Sequence, residues 1–187
     1  MLIDPQNWDE YWGNKKSKIL YDFIAYFYRI LLIRPSLNYH LIRFTKPNSL
    51  LLHAGCGSGQ VDKKIITHAN IYAFDISKKA LEMYSNNKYP NTKVVHGSIF
   101  NTEFGDKKFD GIYNLGVMEH FELNEISKIL SEFSRILKDD GKIILFWPHK
   151  KGLSVNFIKI IKLIFLKLFK IKLKLHPDEI TYVHSKQ

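Results

Sequence analysis

The chain is almost without cysteine and is short of acid. Cys56 is the one cysteine among 187 residues, which excludes a disulfide framework and any cysteine-based zinc site and points to a reducing compartment. No metal site is expected. Asp and Glu number 18 against 28 Lys and Arg, a formal charge of +10. A membrane span is missing too, since crossing a bilayer takes roughly 20 uninterrupted apolar residues. Ile19 to Ile33 contains Asp22 and Arg29, and Leu153 to Leu175 carries Lys159, Lys162, Lys167, Lys170, Lys172 and Lys174. Asp4, Asp9 and Glu10 stand where a secretory leader would need a basic start ahead of an apolar core, so a cytoplasmic location is expected. No internal repeat or low-complexity linker is present.

What is there suffices for one core. With 45% hydrophobic and 14% aromatic residues, the chain reads as a single domain with three parts. Residues 1–47 form an N-terminal helical lid, in which Trp8, Tyr11 and Trp12 precede a helix over Lys18 to Leu32. Pro35 interrupts it, a second helix follows over Ser36 to Phe44, and Pro47 closes the part. Residues 48–148 hold the core. Ser49 to Ala54 is a continuous apolar run, as in a strand buried on both faces of a parallel sheet. Further strands are expected at Ile71 to Phe74, Lys93 to His96, Gly111 to Leu115 and Lys142 to Trp147. Helices at Val61 to Thr67, Lys78 to Asn86 and Asn124 to Leu137 separate them, with a helix stop and turn at Asp139-Asp140-Gly141. Strands alternating with helices over short connections specify an α/β architecture: a doubly wound, mainly parallel sheet with helices on both faces.

Residues 149–187 are the outlier. Eight lysines and no acid lie between Lys150 and Lys174. On a helical wheel Lys159, Lys162, Lys167, Lys170 and Lys174 share one arc, and Phe157, Ile160, Ile161, Ile164, Leu168 and Ile171 share the other, so 153–175 reads as a basic amphipathic helix. Its end, where Phe169, Ile171, Leu173 and Leu175 alternate with lysines, reads equally as strand.

The sharpest signal is Gly55-Cys56-Gly57-Ser58-Gly59, directly after the first strand and before a helical pattern. Glycines there let the chain turn tightly and let a ligand approach the backbone. Twenty residues after Gly55, Asp75 ends the second strand, where a carboxylate can accept hydrogen bonds from both hydroxyls of a ribose. The pair points to a nucleoside ligand. Position 60 is Gln60, so the third glycine of a dinucleotide fingerprint is absent and a pyrophosphate cradle is disfavoured.

His53 to Gly59 with Asp75, Phe109-Asp110-Gly111-Ile112-Tyr113-Asn114-Leu115-Gly116-Val117-Met118-Glu119-His120-Phe121, and Ile136 to Lys142 together resemble the class I S-adenosylmethionine-dependent methyltransferases, in their small-molecule branch. The likeness covers about residues 49 to 147. It implies a Rossmann-like methyltransferase fold whose cofactor is S-adenosyl-L-methionine, with Gly55, Cys56, Gly57 and Gly59 under the methionine moiety. It further implies that Asp75 holds the ribose, that Ile76 packs on the adenine, and that Asn114, Leu115 and Gly116 close the pocket near the sulfonium. Two positions depart from the family pattern. Ser98, followed by Ile99, stands where an acid usually lies beside the adenine amino group. His53 replaces an acid that usually helps hold the cofactor's ammonium, and it reads either as a cofactor contact or as a core histidine.

Methyl transfer from a sulfonium needs an acceptor placed in line and little else, so positioning carries the catalysis. A base is required only for a hydroxyl or a protonated amine. His120 is the candidate, because an unperturbed imidazole titrates near neutrality. It reads otherwise as a pocket-shaping residue, Glu119 is similarly open, and His149 is a weaker candidate. Nucleic acid is disfavoured as acceptor: Asn114 is followed by Leu115 and Gly116 rather than by the paired prolines and aromatic of the amino-methylating enzymes, and the one cysteine lies in the cofactor loop. The expected acceptor is a small or lipid-like molecule, with peripheral membrane contact through 153–175. Only about 40 residues follow Trp147, so the family's C-terminal antiparallel hairpin is expected to be incomplete, leaving an edge that a homodimer could cover. The alternatives are a non-catalytic S-adenosylmethionine-binding module and a nicotinamide-dependent (NAD) oxidoreductase.

Overall fold

The computed structural model describes residues 5–13, 26–27 and 29–147. Five strands form one sheet: β1 (Leu50–Ala54), β2 (Asn70–Asp75), β3 (Thr92–His96), β4 (Phe109–Leu115) and β5 (Leu137–Phe146). Their order is β3-β2-β1-β4-β5, and every pairing is parallel. The described helices are α1 (Pro5–Gly13), α2 (Arg34–Phe44), α3 (Lys78–Ser85) and α4 (Leu123–Ile136). This is the doubly wound α/β architecture expected above.

The apolar run of β1 is used on both faces. Leu52 and Ala54 point with Phe74 and Ile112 toward α4, whose Ile126, Ile129, Phe133 and Ile136 recur at helical spacing. Leu51, Ile71 and Tyr113 point the other way, to Leu37 and Leu41 of α2 and to Ile65 and Ile66. Each such large aliphatic side chain contributes about 1.5–3 kcal/mol on burial. Helix starts are chemically marked. Ser77 caps α3, its hydroxyl accepting the Ala80 N–H at 3.1 Å. Glu122 and Glu125 form a reciprocal capping box at α4, with the Glu122 N–H donating to Glu125 Oε2 at 3.0 Å.

Three local expectations are corrected. Pro35 does not break the N-terminal helices. It lies in the first turn of α2, where a missing N–H costs nothing, and a π-helical turn over Arg29–Ile33 leads into it. The helix expected over Val61 to Thr67 is a run of turns ending in a 3-10 turn at Ile65–Thr67, an arrangement that turns Asp62 into the interior, where two tyrosine hydroxyls and a histidine ring meet it. Asp139-Asp140-Gly141 lies inside β5 as an irregularity: Phe109 pairs with Leu137 but Gly111 pairs with Lys142, so two steps along β4 match five along β5. Helix α1 falls in the part expected to be a helical lid, ahead of the first helix placed there. Most of the Lys18 to Leu32 helix, the basic segment 153–175 and His149 lie outside the described residues, and no strand follows β5 among those that are described.

Candidate active site

In a sheet of this order the chain reverses direction between β1 and β4, and ligands of doubly wound folds lie in the crevice beyond the carboxyl ends of those strands. The glycine loop stands there. Gly55, Gly57 and Gly59 have φ of +73°, +52° and +70°, conformations that side chains rarely tolerate. The loop is tied to β2, as the N–H groups of Gly55 and Cys56 both donate to Phe74 O, at 2.8 and 3.1 Å. A Cβ on Gly55 would sit 2.5 Å from Val117 Cγ2, so the turn after β4 lies directly against the loop.

Asp75 joins the two halves of the crevice. Its Oδ2 accepts the Gly57 N–H at 2.8 Å and its Oδ1 accepts the Ser77 N–H at 2.9 Å. Burial pushes its carboxyl above the ordinary range, and those two N–H groups hold it back in part. Cys56 is buried, and burial raises its thiol well above the usual value, so it stays protonated and is no nucleophile.

Beneath the loop lies a cluster that the sequence reading missed. Asp62, with no exposed surface, accepts Tyr84 Oη–H at 2.8 Å and Tyr113 Oη–H at 2.9 Å, and its Oδ2 lies 2.8 Å from His53 Nδ1. The His53 and Tyr113 rings stack at 4.3 Å. His53 is thus buried and paired with the Asp62 carboxyl group. The missed signal was an acid in register with Ile65, Ile66 and Ala69 on an inward face.

The rim is aromatic. The ring of Trp12 in α1 comes within 2.8 Å of where a Gly57 Cβ would be. Trp8 meets the His120 ring edge-on at 5.1 Å, and Asp9 Oδ1 accepts Ser77 Oγ–H at 2.6 Å and the Lys79 N–H at 3.1 Å. Helix α1 thus lies across the glycine loop, the start of α3 and the turn after β4. His120 is buried in that turn, Met118–His120, next to buried Glu119. Asn114 ends fully buried, Gly116 takes φ +67°, and Leu115 packs toward α2. On the other side of the crevice Ile76 O accepts His96 Nε2–H at 3.0 Å, Ser98 Oγ accepts the Phe100 N–H at 3.3 Å, and Ile99 is buried in the cluster with Leu52 and Phe74.

A family model described as "Methyltransferase domain" matches residues 52–145, about half of the chain. The chain belongs to the class I S-adenosylmethionine-dependent methyltransferases. Among curated relatives of this methyltransferase domain, mouse "Probable tRNA methyltransferase 9B" is 28% identical over 102 residues, covering 54% of this chain and 22% of that protein. An uncharacterized Methanocaldococcus jannaschii protein is 33% identical over 108 residues, 58% of this chain and 44% of that one. The chain therefore spans less than half the length of these relatives. Among solved structures, the PH0226 protein of Pyrococcus horikoshii superposes with a TM-score of 0.62 at 22% identity, over 72% of this chain and 60% of that one. Haemonchus contortus phosphoethanolamine N-methyltransferase 1, solved with phosphoethanolamine and S-adenosylhomocysteine, gives 0.60 at 19%, over 75% and 30%. These likenesses show the fold.

S-adenosylmethionine is the cofactor of the family, and two features of this methyltransferase domain fit it. Each Asp75 oxygen takes one backbone N–H and keeps acceptor capacity for a ribose hydroxyl. The Asn114 amide, fully buried at the crevice end of β4, has no protein partner at either Oδ1 or Nδ2 among the described residues. An unmet buried polar group costs about 1–3 kcal/mol, which a polar ligand would recover.

Proposed function

We propose that this chain transfers a methyl group from S-adenosylmethionine to a small or lipid-like acceptor. The observation that carries the reading is the Asp75 bridge, because one carboxylate both fixes the glycine loop and remains able to grip a ribose. Asp75 and Ile76 would hold the adenosine end, the backbone of Gly55 to Gly59 the methionine end, and Asn114 to Gly116 the far wall. When bound, the cofactor supplies a methyl on a sulfonium that is already activated for displacement. The protein then has to exclude water and aim the acceptor. Helix α1, as a lid, performs the first task through Trp8 and Trp12. His120, in the turn beside the glycine loop, takes the proton of a hydroxyl or protonated amine.

Support for a small acceptor comes from the aromatic rim of Trp8 and Trp12, and from a structural neighbour that acts on phosphoethanolamine. The test is release of S-adenosylhomocysteine on incubation with metabolite and lipid extracts, for the parent and for His120→Gln. Turnover by the parent, reduced at least tenfold in the variant, is expected. Cofactor binding without turnover on any acceptor would instead identify a binding module, and stabilisation by NADH alone would sink the methyl-transfer reading.

A further inference from the structure

Helix α2 buries Leu37 and Leu41 against the sheet, as an amphipathic helix should. Its outer side is apolar as well. Leu31 and Leu32 of the preceding π-helical turn are 64% and 59% exposed, and Tyr39 and Ile42 of α2 are 60% and 52% exposed. Scattered single leucines need no explanation, but a run of large apolar side chains along one exposed helical flank marks an interaction surface.

The charge around the run is of one sign. From Phe23 to Val61 the sequence has no acid, while Arg29, Arg34, Arg43 and Lys46 punctuate the apolar residues. Arg43 and Lys46 are exposed beside Ile42. Helix α2 packs on Ile144 and Phe146 at the end of β5, with His40 edge-on to Phe146 at 6.2 Å. Within β5 a second acid-free stretch of the sequence begins, running from Gly141 to Pro177 with nine lysines.

We infer that the outer face of residues 31–46 docks on an anionic lipid bilayer, with Leu31, Leu32, Tyr39 and Ile42 entering the interface and Arg43 and Lys46 meeting the headgroups. Exposed apolar groups interleaved with cations match a bilayer, where both kinds have a partner. A phosphodiester backbone would use only the cations. The inference rests on this surface and not on which acceptor is methylated.

The test is co-sedimentation of the full chain with phosphatidylcholine vesicles, with and without phosphatidylglycerol, for the parent and for a Leu32→Asn/Tyr39→Asn/Ile42→Asn variant. The substituted side chains are more than half exposed, so an unchanged melting temperature serves as the folding control. Expected are partition of the parent to the anionic vesicles alone, weakening with salt, and a loss of roughly tenfold or more in the variant. Equal partition of parent and variant would overturn the inference and leave vesicle binding to the lysine-rich segment. Failure of the parent to bind would overturn it as well, as would a parent that ignores vesicles and instead dimerises or binds RNA through these three side chains.

Discussion

Asp75 is a scaffold residue that, in the proposed function, also holds the ribose. Because burial raises its carboxyl above the ordinary aspartate value, the proton returns at a higher pH than it would in an exposed aspartate. The protonated form has lost its charge and part of its acceptor capacity, so cofactor affinity should be full at neutral pH and should fall on acidification before the ordinary aspartate range is reached. Titration calorimetry across pH checks this, and Asp75→Ala should bind S-adenosylmethionine at least tenfold more weakly at pH 7. Asp62 carries a different burden. Burial and the neighbouring Asp62 charge keep the Tyr84 and Tyr113 phenols protonated donors. Asp62→Ala would strand both phenols and His53, at a cost of about 3–5 kcal/mol for breaking a buried charged cluster. Tyr113→Phe, which removes one hydrogen bond to a charged acceptor, should cost about 1.5–3 kcal/mol. Denaturant unfolding measures both.

Among the described elements, α4 is clamped by a cluster of charged hydrogen bonds. Glu132 Oε1 accepts the Thr102 N–H at 2.8 Å and the Thr102 hydroxyl at 2.7 Å, while Arg135 reaches Glu132, Asp106 and the Phe104 carbonyl. The helix thereby holds the 102–106 connection that leads into β4. The Arg135 hydrogen bond lowers the Glu132 carboxyl to about 2. A depressed carboxylate contributes stability above its unfolded value and loses it as pH falls toward the folded one. Glu132→Gln should therefore be less stable than the parent at pH 7, and the gap should close between about pH 4.5 and 2, as acid unfolding curves would record. Helix α1 is positioned otherwise, by ring contacts and by Asp9 on the start of α3, and the Ser77 hydroxyl holds the Asp9 carboxyl below its usual value.

At the scale of the whole molecule, the cofactor in the proposed placement would act as a staple across the sheet, its two ends meeting the loops after β1 and β2. Ligand at a hundredfold excess over Kd adds about 2.7 kcal/mol, which for a domain of this size raises Tm by roughly 5–10 °C. S-adenosylmethionine and S-adenosylhomocysteine should produce that shift in a thermal melt, and NADH should not. The strands, their parallel pairing and the crevice were legible beforehand because buried parallel strands write themselves as short apolar runs, and glycines must follow them where backbone meets ligand. The bounds of helix α1 within the expected lid were not legible, because its nine residues lack a strong apolar stripe and it is held by Trp8, Asp9 and Trp12 contacts to residues distant in sequence.

The sequence by itself determined what local chemistry dictates: where strands lie, where glycine is required, which carboxylate ends β2, and which family these residues resemble. Only the tertiary structure decided who meets whom. It made His53 the partner of Asp62, placed both tyrosines on the same carboxylate, laid α1 over the glycine loop, and left one flank of α2 apolar and exposed. Periodicity reports a residue's face within its own element. The partner on the facing element is fixed by packing across the sheet, over separations that no local pattern encodes.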